Sequence, residues 1–384
     1  MKREFWAAFD LYRKTAQEKK ACIEALVDTN SPCWDGVTDF AARQHILAQL
    51  LASEEECARR TKCKDYVKGK NGLQYWYCAG DLRNPQGDYQ RFLCQRLRWM
   101  GDILGFANGQ ATIGPHFPTP SLFPPGFWAI QVRFTLRKPY LSKDDVDFYI
   151  LDNPVKKEWV FKVPYVAPTQ WKGALRAAMT RILLEEKETL DAEAWVERRL
   201  QLARLFGNEK GVRLDDERFE AYLDKQKPEA AQRYRQRLKK EYTPTGFLSS
   251  RLHFYPTFFD RIGLEVINPH PRETGAGKQP IYFESVPADT QGVFTLLYVP
   301  LDLVGKASRE KMKNEAKKDL AAVAQGVRAM LTEYGFGAKT SSGYGVADVA
   351  PQDIAVEPKP FSKPFIEAWK RDESASHNGG KSNE

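Results

Sequence analysis

The stretch Gly335-Phe-Gly-Ala-Lys-Thr-Ser-Ser-Gly-Tyr-Gly345 holds four glycines in eleven residues and runs straight into a short apolar segment, Gly345–Val349. Glycine reaches positive φ without steric penalty and lets the backbone approach a neighbour closely, so the composition predicts a tightly shaped loop. Ahead of it lies a proline-free segment, Ser308 to Tyr334. In it Met312, Ala316, Leu320, Val323, Val327 and Met330/Leu331 recur at steps of three and four. That spacing predicts a long helix with one buried stripe. Helix, glycine-rich loop and strand therefore close the fold.

Working back towards the N-terminus, Phe127–Leu136 alternates Ile130, Val132, Phe134 and Leu136 against polar neighbours, the pattern of a half-buried strand. A helix opens at Thr169, with Trp171, Leu175, Ala178 and Ile182 as its stripe and Lys172 and Arg176 one turn apart on another face. Further strands are expected at Leu252–Phe259, Ile262–Val266, Ile281–Val286 and Val293–Pro300. Strand, helix, strands, helix, strand is the βαββαβ order of an α+β, ferredoxin-like (RRM-like) sheet. RNA-binding proteins and unrelated enzymes share that topology, so the fold alone names no function.

Residues 1–110 read as a helical N-terminal region, since Glu4 to Val27 and Asp39 to Arg60 lack proline, and the second places Phe40, Ile46/Leu47 and Leu50/Leu51 on one side. Residues 111–126 form a proline-rich linker, with Pro115, Pro118, Pro120, Pro124 and Pro125 set between Gly114 and Gly126. The main domain spans 127–350, interrupted at about 190–245 by a helical insertion in which Asp191 caps a first helix, Gly207 ends it and Pro228 starts another. The basic run Arg233, Arg235, Arg237, Lys239, Lys240 reads as a solvated face. The tail, 351–384, is expected to be largely disordered.

The chain has 384 residues, 42% hydrophobic and 28% charged, and no apolar run near the ~20 residues of a membrane span. The N-terminus MKREFWAAFDLYRK lacks the apolar core of a signal peptide, so a cytoplasmic location without membrane contact is expected. The net charge of +8 suits a polyanionic partner without requiring one. All six cysteines (Cys22, Cys33, Cys57, Cys63, Cys78, Cys94) fall in the first quarter and none makes a C-x2-C pair. Free thiols are expected, with a metal site from Cys57, Cys63 and Cys78 as the other reading, and no stably bound cofactor.

Four segments stand out chemically. In the glycine-rich loop, exposed N–H groups, Lys339 and the hydroxyls of Thr340, Ser341 and Ser342 suit phosphate oxygens, and Tyr344 could stack on a base. The loop lacks the G-x4-G-K-[ST] order of a nucleotide-binding P-loop. A turn whose glycines serve steric fit is the competing account. In Val163–Arg176 a helix start carries Lys172 and Arg176 near free backbone donors, and Gly173 early in the helix suggests close approach of another chain. Asp152, in Tyr149-Ile-Leu-Asp-Asn-Pro-Val155, reads locally as a turn former. The loop Asn268–Pro280 is too long for a tight hairpin and presents His270, Arg272 and Lys278.

In their order, these segments resemble the RAMP superfamily of CRISPR-associated proteins. The glycine-rich loop after the last helix resembles its signature, and Ala167–Arg176 is similar to its IPGSSLKGxLR segment, with Pro168-Thr-Gln-Trp in place of Gly-Ser-Ser-Leu. Ile150–Val155 looks like the IDSPV motif of type III backbone subunits. Leu205-Phe-Gly207 with Gly246–Phe254, and Ile267–Arg272 with Phe283–Pro287, resemble two further patterns of the family. The resemblance covers about 127–350 and implies a guide (crRNA)-binding subunit of a type III effector in antiviral defence. Its partners would be guide RNA, complementary target RNA, other RAMP subunits and a large polymerase-like CRISPR subunit. It implies RNA contacts at Lys172, Gly173, Arg176, His270, Arg272, Lys278, Gly335, Gly337, Lys339, Thr340, Ser341, Ser342, Gly343, Tyr344 and Gly345. It also implies target-RNA cleavage at Asp152, an endoribonuclease step that one carboxylate would need a divalent metal (Mg) or the RNA's own 2′-OH to complete. Two alternatives within the superfamily are a non-catalytic structural or capping subunit and a guide-precursor-processing endoribonuclease. The latter would draw on His253 or His270, or on His116 in the linker. A generic RRM-like protein, with stacking aromatics on its central strands, is the reading from outside it.

Overall fold

The computed structural model describes Gln17, Ala42 and residues 87–106, 115–145, 153–208, 221–242, 248–268 and 281–370. The expected helices Glu4–Val27 and Asp39–Arg60 lie outside these apart from Gln17 and Ala42, both helical. Five of the six cysteines also lie outside; Cys94 is a free thiol.

Helix α1 (Asp88–Leu104) ends at Gly105, whose φ of 64° gives the left-handed turn that closes many helices. The stretch that follows Pro115 crosses the sheet's outer face, where Phe117 and Phe123 pack on Phe127, Ala129, Leu297 and Val299. The elements then run β1 (Trp128–Leu136), β2 (Tyr165–Val166), α2 (Pro168–Glu185), α3 (Ala192–Phe206), α4 (Tyr222–Gln226) and α5 (Pro228–Glu241). After these come β3 (Leu252–Phe254), β4 (Thr257–Phe258), β5 (Gly263–Ile267), β6 (Ile281–Ser285) and β7 (Gln291–Tyr298). The chain closes with α6 (Arg309–Ala329), β8 (Ala347–Asp348), β9 (Ile354–Glu357) and α7 (Ser362–Lys370).

The main sheet has the order β3-β7-β1-β8, with β9 also on β1, and all its pairings are antiparallel. With α2 and α6 as the crossovers, this is the ferredoxin-like arrangement. Alternation along β1 sends Trp128, Ile130, Val132, Phe134 and Leu136 into the layer under the helices. Trp128 stacks on its register partner Tyr298 at 4.8 Å and donates its indole N–H to Ala316 O on α6. Gly292 lies opposite Phe134, whose ring fills the space a Cβ would need. α6 starts as the sequence predicts, with Ser308 Oγ accepting from Lys311 N at 3.2 Å, and its last turn widens into a π turn, Met330–Tyr334.

Two sequence expectations are corrected. Leu252–Phe259 is two strands, because Pro256 has no N–H to continue a ladder. β3 stays with β7, while β4 pairs with β2. The stretch from 351 to 370 is ordered, not disordered: β9 pairs with β1, and α7 buries Phe365 and Trp369. Its apolar residues, Val356, Phe361, Phe365, Ala368 and Trp369, join the main core. Residues 371–384 lie outside the described residues.

The insertion is locked to the sheet domain by buried ion pairs. Asp191 caps α3 by accepting from Ala194 N. Arg204 on α3 donates through Nε and Nη2 to Asp319 on α6, which also accepts from Gln201 and the Tyr298 hydroxyl. Within the insertion Asp224 bridges Arg199 and Arg235, both at 2.6 Å. The basic run of α5 is thus partly structural: Arg235 is buried, and Arg233 and Arg237 pair with glutamates of α3.

Candidate nucleic-acid interface

The glycine-rich loop folds back on the segment following β1. Phe336 N donates to Gly345 O, Ala338 N to Leu141 O, and Gly345 N to Pro139 O. Three of its glycines are there for fit. A Cβ on Gly345 would lie 1.9 Å from Phe336 O, one on Gly337 2.4 Å from Leu141 O, and one on Gly335 2.8 Å from Tyr344 O, all at positive φ. Gly343 meets only the tip of Lys138, at 3.7 Å. Packing on one side leaves the other side for solvent: Ala338, Lys339, Ser341 and Ser342 are exposed, with Thr340–Ser342 in a 3-10 turn. The N–H groups of Lys339, Thr340 and Ser341 donate to no backbone carbonyl among the described residues. Steric fit and an exposed row of donors are both present in the one loop.

The loop is held against the hairpin β5–β6. The Lys339 ammonium lies over the Phe283 ring of β6, and the Tyr344 hydroxyl donates to Glu265 Oε2 of β5 at 3.2 Å. Burial raises the Glu265 carboxyl above its ordinary range, and burial followed by that carboxylate raises the Tyr344 phenol. β5 and β6 pair from Gly263↔Ser285 to Ile267↔Ile281, so the loop 268–280 closes this hairpin. His270, Arg272 and Lys278 lie outside the described residues, as does Asp152. Their neighbours show where the two segments attach: Asn153 bridges to Phe283, and Glu284 N donates to Asn153 O at 3.0 Å. Glu284 holds the other end through Val155 N and the Lys157 ammonium.

The start of α2 completes the arrangement. Pro168 occupies the first helical position, and no side chain caps the first turn. Pro168 has no N–H, and Gln170 N and Trp171 N donate to Ala167 O, which leaves the Thr169 N–H and the positive end of the helix dipole to face an anion. In front of it lies an open cleft of about 420 Å³ lined by Ala167, Thr169 and Gln170, by Gly337 and Ala338 of the glycine-rich loop, and by Ser142, Lys143 and Lys156. Tyr140 braces the cleft floor. Its hydroxyl donates to Gln170 Oε1 at 2.9 Å, its ring packs on Phe336, and burial pushes its phenol up to about 12. Lys143 and Lys156 were not nominated by the sequence. They flank an acidic turn in which the Asp144 carboxylate accepts from Lys157 N, and Lys156 also reaches Asp145 at 3.8 Å.

The remaining residues of α2 divide. Arg176 donates to Phe206 O at 2.8 Å and lies over the Phe206 ring, so it binds the end of α3. Lys172 is half-buried, its pKa lowered by desolvation and by Arg176; desolvation and then Lys172 lower that of His253 on the edge strand β3. Gly173 is exposed with nothing within 4 Å of a Cβ position, so no intramolecular packing demands glycine there. Among the described residues no group of three or more His, Cys, Asp or Glu side chains could hold a metal ion. No helix is long and apolar enough to cross a membrane among the described residues.

A sequence model of the RAMP superfamily matches residues 147–348, which takes in the cleft's helix, the hairpin and the glycine-rich loop. No curated protein matches the chain in sequence. Among solved structures, a chain of the cryo-EM structure of the Type III-B Cmr-beta bound to cognate target RNA is 14% identical. The alignment covers 88% of this chain and 98% of that one, with a TM-score of 0.40. A chain of a CRISPR RNA-guided surveillance complex, pre-nicking, is 15% identical, with coverage of 58% and 76% and a TM-score of 0.31.

Proposed function

Because the chain belongs to the RAMP superfamily, we propose that it binds guide RNA as a subunit of a type III CRISPR effector, gripping the strand by its phosphates. The observation that carries this reading is the cleft. The start of α2, Gly337 and Ala338 of the glycine-rich loop, and Lys143 and Lys156 line one open volume, with the turn Thr340–Ser342 following in the same loop. Such a surface offers cations, while two of its side-chain acceptors are engaged within the protein, Ser142 Oγ by Lys156 N and Gln170 Oε1 by the Tyr140 hydroxyl, so little in it tells one base from another. It therefore binds any guide sequence, as base pairing requires when the guide itself reads the target. The hairpin β5–β6, tied to the loop through Lys339 and Tyr344, would stand beside the path.

The finer part of the proposal is target-RNA cleavage at Asp152, the residue that precedes Asn153 in sequence; Asn153 bridges to Phe283 of the hairpin. A divalent ion completed by RNA and solvent, or the target's 2′-OH, would supply the rest of the chemistry.

The test of binding is a salt titration of the purified chain with guide-length RNA. The double variant Lys143→Glu/Lys156→Glu should lose affinity for every sequence alike and show a shallower salt slope. Unchanged affinity and slope would remove the cleft from the RNA path. Asp152→Ala in the assembled complex tests cleavage: unchanged products at every position would make the subunit structural, with RNA binding left standing.

A further inference from the structure

Trp159 is 76% exposed, yet it sits on a tightly tied turn. Glu158 N donates to Val163 O at 2.8 Å and Lys162 N to Glu158 O at 3.0 Å. The Glu158 carboxylate turns inward and accepts from Val160 N and Phe161 N at 2.8 and 2.6 Å. Lys162 takes the left-handed conformation, with φ of 59°. Phe161 anchors the turn in a small core with Leu97, Met100, Val163 and Phe258. An indole held in water by this many constraints is presented, because a turn free to relax would fold it onto the neighbouring apolar surface.

The surface around it repeats the chemistry. Trp99 on α1 meets Phe161 edge-on at 5.0 Å and remains exposed, as do Ile103 and Val160. Each indole carries a cation: Lys162 lies 4.8 Å from the Trp159 ring, and Arg96 lies 5.3 Å from the Trp99 ring. Arg98 adds a further exposed positive group on α1. Exposed aromatic faces interleaved with cations are the chemistry that single-stranded nucleic acids meet when bases stack and phosphates are neutralised together.

We propose that Trp159 and Trp99 form a stacking platform for unpaired bases of single-stranded RNA. The inference rests on the RNA-binding reading of the cleft and extends it. Lys156 lines the cleft, its carbonyl accepts from Tyr165 N, and Lys157 bridges to Pro164. The turn that carries Trp159 therefore rises directly from the cleft wall, and a strand leaving the lysines reaches the indoles next. Stacking tolerates any base, so the platform serves guides of every sequence.

The experiment uses the full chain with fluorescently labelled oligouridylate, oligoadenylate and a blunt RNA duplex. Trp159→Ala should weaken single-strand binding about ten-fold, within the range of a stacking residue. It should leave duplex affinity and the salt slope unchanged and remove part of the tryptophan quenching caused by single-stranded RNA. Trp159→Phe should recover most of the loss, and Trp99→Ala should repeat it in smaller measure. Trp159 is 76% exposed, so truncating it removes little packing, and a urea midpoint close to wild type shows that each variant folds. Unchanged single-strand affinity in Trp159→Ala overturns the platform. So does a loss confined to co-purification with a protein subunit, which would make the face a protein interface. Wild-type affinity in Lys143→Glu/Lys156→Glu alongside a loss in Trp159→Ala would overturn the cleft reading and keep the platform. No RNA affinity in the wild-type chain overturns both.

Discussion

The Lys339 ammonium lies 5.2 Å from the centre of the Phe283 ring, joining the glycine-rich loop to the hairpin beside it. A cation over an aromatic ring at an exposed site is worth about 0.5–1 kcal/mol. Lys339→Met keeps the apolar stem and drops the charge, so in urea it should cost no more than about 1 kcal/mol. RNA affinity should fall several-fold, and the salt slope should decrease by about one phosphate contact. A stability loss with unchanged RNA affinity would make Lys339 a hairpin strut only.

Two glycines in the matched region should respond in opposite directions. Gly345→Ala places a Cβ 1.9 Å from Phe336 O at a φ of +70°, and should destabilise the domain by about 3 kcal/mol or more. Gly173→Ala meets nothing within 4 Å on an exposed helical face and should stabilise by up to about 1 kcal/mol. Denaturant midpoints measure both. RNA affinity is the second readout: a variant that is more stable yet binds RNA more weakly would show that the missing side chain makes room for a strand, and unchanged affinity would remove Gly173 from the RNA contacts.

Asp319 is fully buried and holds Arg204, Gln201 and the Tyr298 hydroxyl, with Arg251 3.6 Å away. Asp319→Asn keeps the shape and removes the charge, leaving the buried Arg204 guanidinium with Glu315, 3.6 Å away, as its anionic partner, while Arg251 keeps Asp302 and Glu315. The expected cost is about 3–5 kcal/mol, read as a large fall in the urea midpoint. A fall of less than about 1 kcal/mol would show that water reaches these guanidiniums.

Glu265 should give stability a pH signature. Burial raises its carboxyl above the ordinary value of 4.5, against the opposing effect of the Tyr344 hydrogen bond. The folded state therefore holds the proton more tightly than the unfolded chain. This group's contribution is most favourable at low pH and is lost as pH rises through the window that opens above 4.5. Glu265→Gln removes the titration. The difference in unfolding free energy between wild type and variant should shift in the wild type's favour as pH falls from neutral into that window. A difference independent of pH would contradict the burial account.

Strongly periodic elements were legible in the sequence. β1 shows its alternation and α6 its stripe, because each buries one face against a continuous core. Asp191, Gly207 and Ser308 mark helix boundaries through local chemistry that needs no tertiary partner. What depends on distant residues was not legible. Lys143 and Lys156 gain their place only when 142–143, 156, the start of α2 and the glycine-rich loop come together. Arg176 reads in the sequence as a cation beside Lys172, and nothing local shows that one of its terminal nitrogens donates to Phe206 O at the end of α3, thirty residues on. The tail was misread because its polar final residues coloured the reading of 351–370, whose apolar residues find β1 and the main core.

The main sheet also has short margins. β3 spans three residues at one edge, and on the other side β8 and β9 share β1, with Pro358 directly after β9. So little unpaired backbone gives an incoming chain almost no ladder to extend. A chain docking on this sheet would then be met by side chains and loops, a matter of matching surfaces tunable by single substitutions rather than of a sheet growing at its edge.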